Sequence, residues 1–159
     1  MSKARLKEIV EENMEFSRTG TIRQTDKIGR VPVGHYFEEE RWQQECDRIF
    51  KRLPLMLATT SELREPGDYK ALSVMGKPVL ITRTTTGEIK AFENSCAHRG
   101  AQVVETGRGN AKRFVCPYHA WSYSNEGALK HILCEAEFGE VDRDTNGLVE
   151  LPALERSGL

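Results

Sequence analysis

Four side chains in one stretch of the sequence have the types and the spacing of metal ligands. Cys96 and His98 are separated by one residue, Cys116 and His119 by two residues, and residues 99–115 lie between the two pairs. Thiolate sulfur and neutral imidazole nitrogen are the donors that proteins use for zinc and for iron–sulfur clusters. The pattern therefore predicts two loops, each of which offers one cysteine and one histidine to a metal centre.

Two kinds of metal centre use this set of donors. A single zinc ion binds two cysteines and two histidines, but zinc fingers usually place cysteine with cysteine and histidine with histidine. Here each loop offers a mixed pair. A mixed pair suits a [2Fe–2S] cluster between two loop tips, with both cysteines on one iron and both histidines on the other. The sequence thus favours one [2Fe–2S] cluster per chain over a zinc ion or a chance grouping.

Residues 66–129 resemble the Rieske domain of the alpha subunit, the large terminal oxygenase subunit, of bacterial aromatic-ring-hydroxylating dioxygenases. Residues before this stretch are similar to the family's N-terminal lead-in. The resemblance implies an all-β fold, a Rieske-type antiparallel β sandwich or small barrel with a cluster-binding subdomain of two loops, preceded by one or two N-terminal helices. The resemblance rests on Pro66-Gly67-Asp68-Tyr69, Cys96-Ala97-His98-Arg99-Gly100 and Phe114-Val115-Cys116-Pro117-Tyr118-His119-Ala120-Trp121-Ser122-Tyr123.

The resemblance also implies a role for each ligand. Cys96 and Cys116 are expected on the iron that stays ferric, and His98 and His119 on the iron that changes valence. Each imidazole keeps a second ring nitrogen that can carry a proton and hydrogen-bond a docking carboxylate. In the family, the histidine at the position of His119 contacts a bridging aspartate of a neighbouring subunit. Electrons are therefore expected to leave through the two histidines, His119 foremost.

The side chains beside the ligands are expected to tune the centre. High-potential Rieske proteins link their loops by a disulfide, but Ala101 and Tyr118 stand at those positions here, so that disulfide cannot form. Trp121 replaces a serine that donates to a cluster sulfur in those proteins, and its indole is expected to shield the site instead. Tyr123 matches a donor tyrosine of those proteins. Arg99 is interpreted as a hydrogen-bond donor that holds its own loop.

Composition and charge exclude several classes of function. A chain of 159 residues with a net formal charge of −1 indicates one domain and gives no reason to expect nucleic acid as a partner. The basic residues Arg108, Lys112 and Arg113 are interpreted as a solvated loop. No apolar run approaches membrane-spanning length and no signal core is present, so we expect no membrane and a cytoplasmic location. Cys46 is interpreted as a buried thiol, and Cys134 is given no role.

Hydrophobic periodicity divides the chain into a helical lead-in, residues 1–53, and the Rieske domain, residues 54–159. Apolar residues three and four apart predict helices over 3–16 and 38–53, separated by a polar linker. The apolar face of the second helix is interpreted as a cover for the end of a β core, with partner binding as the alternative. That face consists of Trp42, Cys46, Ile49, Phe50 and Leu53.

After residue 54 the period changes to two, which indicates strands. These strands are expected to hold cluster loops at about 94–101 and 115–123, because loops on short strands stay at a fixed separation. Further strands are expected after Lys130. The predicted strands are 55–58, 69–75, 79–83, 89–92, 113–115 and 121–123.

The family's mononuclear iron site is not found in this sequence. That iron is bound by two histidines and a carboxylate, whereas only His35 and His131 remain after the four candidate ligands. We therefore expect the C-terminal catalytic domain, and with it the mononuclear Fe(II), to be absent from the chain. The chain would then be a fragment or a truncated form of an alpha subunit.

The leading hypothesis is one-electron transfer within an NAD(P)H-dependent oxidoreductase system of aromatic hydrocarbon catabolism. A ferredoxin or flavin reductase would supply the electron, and the catalytic iron of the same or a neighbouring alpha subunit would accept it, in a trimeric parent. Alone, the chain would hydroxylate nothing. A free-standing Rieske ferredoxin is the alternative, and a zinc-stabilised binding module is a remote one.

The hydrogen-bond donors that this sequence lacks lead to a testable prediction of the cluster's reduction potential. Fewer donors to sulfur stabilise the reduced state less, so we expect a potential near the low end of the Rieske range of roughly −150 to +300 mV. Trp121→Ser should raise this potential, measured by redox titration. An unchanged or lower potential with an intact cluster would contradict the expectation.

Overall fold

The first helix, α1, spans Lys3–Thr19 in the computed structural model, which describes residues 2–159. Ser2 begins it, because its hydroxyl accepts a hydrogen bond from the N–H of Arg5 at 3.2 Å. Gly20 ends it at a φ of 64°, a left-handed conformation that glycine adopts without steric cost. The helix predicted over 3–16 is confirmed and extends to Thr19.

The second helix, α2, spans Glu39–Glu45 and continues as a π turn over Cys46–Phe50. It confirms the helix predicted over 38–53, although the regular part ends earlier. Cys46 is buried, as predicted, whereas Ile49 and Leu53 stay about half exposed. Within the compact unit formed by residues 43–159, the apolar face is therefore buried at Cys46 and about half exposed at the other two positions. No helix among residues 2–159 is both long and apolar enough to cross a membrane.

An antiparallel five-stranded sheet forms the base of residues 43–159. Its strands are β1 (Asp68–Val74), β2 (Lys77–Arg83), β3 (Ile89–Glu93), β4 (Gly107–Asn110) and β8 (Glu150–Leu151). Their spatial order is β4-β1-β2-β3-β8, so consecutive hairpins form the centre and β8 returns from the end of the chain. The predicted strands at 69–75, 79–83 and 89–92 are confirmed.

A smaller antiparallel sheet carries the second predicted loop. Its strands are β5 (Arg113–Val115), β6 (Ser122–Ser124) and β7 (Leu129–His131), in the order β5-β6-β7. The short strands predicted on both sides of this loop are confirmed. Residues between Val115 and Ser122 form the loop, and because β5 and β6 pair directly, its two ends are held side by side.

Two predictions about strands and loops are wrong. Residues 55–58 form no strand, although they are apolar. Conversely, Arg108 and Arg113 are exposed, as predicted, but they lie in β4 and β5 and not in a loop, and Arg108 forms an ion pair with Glu62 at 3.2 Å. The sequence Gly107–Asn110 has no apolar side chain, so its pairing with β1 comes from backbone hydrogen bonds that leave no periodic signal.

The five-stranded sheet has an apolar core on each face. Successive side chains of a strand point to opposite faces. In β2, Leu80 therefore joins the core that contains both candidate cysteines, while Val79 and Ile81 pack with Leu63 in the other core. The metal-binding loops thus rest on a sheet that is buried on both sides, which limits their movement.

A hydrogen-bonded joint connects the two sheets. The Thr82 hydroxyl donates to the carbonyl of Asn125 at 2.7 Å, and the Asn125 amide donates to the carbonyl of Arg83 at 3.2 Å. Asn125 and Thr82 are almost completely buried. Nearby, Gly127 lies directly against the ring of Phe92. The joint sets the position of β6 and β7 on the larger sheet.

The last residues are held by a partly buried ion pair. Arg83, 8% exposed, donates to Glu155 at 2.7 Å and to the Gly87 carbonyl at 2.7 Å, and it also contacts the Leu63 carbonyl. The Thr60 hydroxyl donates to the same carboxylate at 2.8 Å. Hydrogen bonds from Arg83 and Thr60 lower the pKa of Glu155. The C-terminal segment is therefore fixed to the loops that precede β1 and β3.

The close packing at this joint predicts that a larger side chain in place of Gly127 lowers the stability of the fold. A Cβ there would lie 2.4 Å from a ring carbon of Phe92, and the φ of 83° already disfavours a side chain. Gly127→Ala should lower the free energy of unfolding by about 2–4 kcal/mol, from left-handed strain and overpacking together. Urea unfolding of the metal-loaded protein, followed by circular dichroism, measures the loss.

Gly87→Ala is the matched control. Gly87 has a φ of 87°, but nothing lies within 4 Å of an added Cβ. Gly87→Ala should therefore lower the free energy of unfolding only by the left-handed strain, about 1–2 kcal/mol. Equal losses in the two variants would show that Phe92 moves aside without cost.

Candidate metal centre

The first loop begins where β3 ends and is closed by backbone hydrogen bonds. The N–H of Cys96 donates to the carbonyl of Ala101 at 2.8 Å, and the N–H of Gly100 donates to the carbonyl of Cys96 at 2.8 Å. Gly100 has a φ of 70°, which glycine adopts freely. The closure turns the chain tightly, so that His98 lies at the tip of the loop.

The second loop is closed by the same pair of bonds. The N–H of Cys116 donates to the carbonyl of Trp121 at 2.8 Å, and the N–H of Ala120 donates to the carbonyl of Cys116 at 3.0 Å. Ala120 has a φ of 55°, in the same left-handed region as Gly100 in the first loop. This conformation costs alanine about 1–2 kcal/mol. The strain is retained because it closes the loop around His119.

Asn94 holds the first loop in place by hydrogen bonds between its side chain and the backbone, and it was not identified from the sequence. Its side chain is fully buried; its oxygen accepts from the N–H of Val103 at 3.2 Å and of Val104 at 3.0 Å, and its amide donates to the Val104 carbonyl at 2.6 Å. Asparagine commonly caps turns through its side chain. Its place directly after an apolar strand was therefore a usable signal.

The structure brings the four predicted ligands together. Cys96 and Cys116 are 3% and 2% exposed and belong to the same core, and the two thiols interact. The rings of His98 and His119 meet edge to face, with centroids 4.7 Å apart and an interplanar angle of 62°. Two sulfur donors and two nitrogen donors thus converge from two loops, as the spacing predicted.

Burial favours the neutral forms of Cys96 and His98. Burial raises the pKa of the Cys96 thiol, and hydrogen bonding from Tyr123 only partly opposes this rise. Burial also lowers the pKa of His98, as do the nearby His119 and Arg99. A neutral imidazole is the form that binds a metal, whereas a thiol must lose its proton to do so.

Two buried nitrogen atoms lack hydrogen-bond partners, and their positions bear on whether a cluster fits this site. Among residues 2–159, the buried side-chain nitrogen and oxygen atoms that lack a hydrogen-bond partner are Nδ1 of His119 and Nε1 of Trp121. Buried polar atoms are normally satisfied, so an unpaired one points to an absent ion or group. The unpaired Nδ1 gives His119 a free nitrogen toward a metal, beside the thiols and His98. The donor set fits a metal centre.

The arrangement fits a cluster better than a single ion. In the part of the chain that the structure describes, no three His, Cys, Asp or Glu side chains are grouped as ligands of one ion. A tetrahedral zinc site needs four ligands around one point, whereas each iron of a Rieske-type cluster takes only two protein ligands. The contact between the two thiols and the contact between the two imidazoles pair the donors like with like, which matches the [2Fe–2S] interpretation.

Tyr123 connects the two loops. From β6, its fully buried hydroxyl lies 3.2 Å from the sulfur of Cys96 and accepts a hydrogen bond from the N–H of Ala97 at 3.1 Å. Because that N–H occupies the oxygen, the phenolic hydrogen is free to point to the sulfur. Burial and the contact with Cys96 raise the pKa of Tyr123 far above its usual value, so the phenol stays protonated. The predicted donor is thus in position.

Aromatic rings enclose one histidine more than the other. Trp121 stacks on His98 with ring centroids 5.1 Å apart and an interplanar angle of 10°. Phe138 meets the same imidazole edge to face, with centroids 5.2 Å apart. His119 instead contacts Tyr118 at 3.7 Å, and that tyrosine is 58% exposed. The enclosure by Trp121 agrees with the predicted shield. Phe138 could not be assigned from the sequence, because it comes from a distant loop.

The remaining predicted residues lie outside this group. Arg99 is exposed, and its guanidinium forms no hydrogen bond or ion pair among residues 2–159; backbone bonds close its loop instead. Cys134 is an exposed free thiol. His35 lies in a 3-10 turn over Val33–Tyr36, and His131 lies at the exposed end of β7.

Known proteins with similar sequences carry the same kind of domain. Residues 54–150 match the family described as the Rieske [2Fe-2S] domain. Chlorobenzene dioxygenase subunit alpha of Cupriavidus sp. (strain PS12) is 38% identical over 112 residues, covering 70% of this chain and 25% of that protein. The large oxygenase component of the naphthalene 1,2-dioxygenase system of Pseudomonas aeruginosa is 39% identical over 120 residues, covering 74% and 27%. The chain thus spans about a quarter of these relatives.

A solved structure shows the same fold. It is that of a quaternary ammonium Rieske monooxygenase, described in terms of carnitine oxidation by gut microbiota and inter-subunit electron transfer. The TM-score is 0.69 at 30% identity, over 80% of this chain and 35% of that one. Both the expected fold and the expected resemblance are confirmed. The chain belongs to the Rieske [2Fe-2S] domain family, and its relatives are alpha subunits of ring-hydroxylating oxygenases.

Proposed function

We propose that this chain transfers single electrons as the Rieske domain of an oxygenase alpha subunit. Cys96 and Cys116 would hold one iron of the [2Fe–2S] cluster, and His98 and His119 the other. The observation that carries the proposal is the convergence of these donors, with Nδ1 of His119 buried and unpaired. When bound, the cluster supplies a site that accepts and releases one electron.

The protein's own contribution is to hold the ligands still and to exclude water. Each loop is closed by two backbone hydrogen bonds and rests on strands of a sheet that is buried on both faces. A ligand set that does not move between oxidation states lowers the energy needed for electron transfer. Trp121 and Phe138 pack on the ring of His98, which is half-buried. The fold therefore favours rapid exchange of an electron.

The two histidines differ in how a partner can reach them. Both imidazoles are half-buried, but His98 has Trp121 and Phe138 against its ring, whereas His119 has the exposed Tyr118 beside it. His119 is therefore the proposed exit, and the outer nitrogen of its ring would hydrogen-bond a carboxylate of the acceptor. The related monooxygenase described with inter-subunit electron transfer supports an acceptor on a neighbouring subunit.

The rest of the electron pathway is proposed from the relatives. The parent would be a trimeric, NAD(P)H-dependent oxygenase in the cytoplasm, with a ferredoxin or flavin reductase as donor and a mononuclear iron as acceptor. Similarity to alpha subunits favours this assignment over a free-standing Rieske ferredoxin. The relatives act on chlorobenzene, naphthalene and quaternary ammonium compounds, so no single substrate is favoured. The proposed domain spans residues 54–159, after a lead-in at residues 1–53.

Electron paramagnetic resonance tests the proposed cofactor. The protein should contain equal amounts of iron and acid-labile sulfide, give no signal when oxidised, and give a rhombic signal with an average g below the free-electron value after dithionite. Substituting His119 with Cys should shift this average g, because a nitrogen ligand is replaced by sulfur. Zinc in place of iron, without sulfide in freshly prepared protein, would contradict the proposal.

Tyr123→Phe tests the hydrogen bond to the ligand sulfur. It removes the hydroxyl that lies 3.2 Å from Cys96 and leaves the ring in place. Losing a donor to a charged sulfur should lower the reduction potential by roughly 40–60 mV, the equivalent of about 1–1.5 kcal/mol. Redox titration followed by visible absorption measures the change.

Tyr69→Phe is the control for this substitution. Tyr69 packs its ring edge to face on Phe114 in the same domain, and no hydrogen bond of its hydroxyl to Cys96 or Cys116 occurs among residues 2–159. Its removal should leave the potential unchanged. An equal fall in both variants would assign the effect to packing and not to the Tyr123 hydroxyl.

A further inference from the structure

The indole nitrogen of Trp121 is a buried hydrogen-bond donor that lacks an acceptor in the protein. Trp121 is 4% exposed, and its Nε1 has no hydrogen-bond partner among residues 2–159. An indole N–H only donates, and a buried donor without an acceptor is destabilising. The other buried nitrogen in this condition is Nδ1 of His119, a predicted ligand. The two unpaired atoms thus belong to residues of the same loop.

The surrounding contacts fix the direction of this N–H. The carbonyl of Trp121 accepts from the N–H of Cys116 and closes the loop. The indole of Trp121 lies between two other rings. It stacks on His98 at a centroid distance of 5.1 Å and meets Phe138 edge to face at 5.7 Å. An indole held at its backbone and on its ring cannot rotate to reach solvent. Its acceptor must therefore come to it within the buried site.

We propose that Nε1–H of Trp121 donates a hydrogen bond to a sulfur atom of the cluster. This inference rests on the proposed function, since the cluster provides the acceptor. Sulfide and thiolate sulfur are the hydrogen-bond acceptors that such a centre brings into the buried site. Trp121 is thus a donor to the cluster as well as a shield for His98.

The two roles have opposite effects on the reduction potential. Reduction adds negative charge to the cluster, and a donor to sulfur stabilises that charge and raises the potential. A shield excludes water, which would also stabilise the charge, and so lowers the potential. Trp121→Ser cannot separate the roles, because it exchanges one donor for another and admits water. A variant that removes the N–H but keeps an aromatic ring is needed.

The first experiment detects the indole nitrogen directly. The chain contains two tryptophans, so Trp42→Phe leaves Trp121 as its single indole. This variant is labelled with ¹⁵N-indole tryptophan, loaded with cluster and reduced, and hyperfine sublevel correlation spectra are recorded. A ¹⁵N coupling, absent from unlabelled protein, is expected from the hydrogen-bonded nitrogen. A normal Rieske signal without this coupling would overturn the donor assignment, and the proposed function would stand.

The second experiment compares two substitutions by redox titration. Trp121→Phe keeps a ring against His98 and removes the N–H, so its potential should fall. Phe138→Leu loosens the cover over the same imidazole without touching a donor, so its potential should not fall. A rise or no change in Trp121→Phe would assign Trp121 to shielding alone.

The two experiments also separate this inference from the proposed function. If Trp121→Phe fails to bind the cluster, the ¹⁵N coupling in the Trp42→Phe protein decides the donor assignment, because that protein keeps Trp121. Absence of any Rieske signal from the Trp42→Phe and the unsubstituted proteins would instead overturn the proposed function and, with it, the donor assignment.

Discussion

Two thiols buried side by side are the constraint on which this structure depends. Cys96 and Cys116 are almost inaccessible, and burial together with their mutual contact favours the protonated form of Cys96. Metal binding needs the thiolate, so loading the site must release protons and supply positive charge to the core at the same time. The Cys96 thiol therefore loses its proton when the metal binds. Proton release and capture of the cluster are coupled for that reason.

The rest of the fold serves to hold these donors at a fixed separation. The five-stranded sheet supports the first loop through β3 and Asn94, and the smaller sheet supports the second loop through β5 and β6. The joint at Thr82 and Asn125 connects the two supports. A displacement of either sheet would change the distance between cysteines and histidines. Rigidity at the site is thus a property of the whole β unit and not of the loops alone.

The sequence allowed the centre to be predicted more completely than its surroundings. Cys96, His98, Cys116 and His119 were identified because ligand chemistry depends on residue type and local spacing, and most strands because they alternate with a period of two. Phe138 was missed because its contact with His98 joins residues that are distant along the chain. Asn94 was missed although its place directly after an apolar strand was a usable signal. β4 was missed because its glycines and polar residues give no hydrophobic pattern, and residues 55–58 were assigned wrongly because apolar composition alone does not create a pairing partner.

The link between the loops also determines how the site can be assembled. Tyr123 joins the loops through hydrogen bonds to Cys96 and Ala97, at a centre where Ala101 and Tyr118 exclude a disulfide. A covalent link would require an oxidation step before or during cluster insertion, and thiol reductants would break it. A phenolic hydrogen bond needs neither an oxidant nor a disulfide isomerase. The apoprotein can therefore receive iron and sulfide from a thiol-containing assembly system without losing the contact that aligns its ligands.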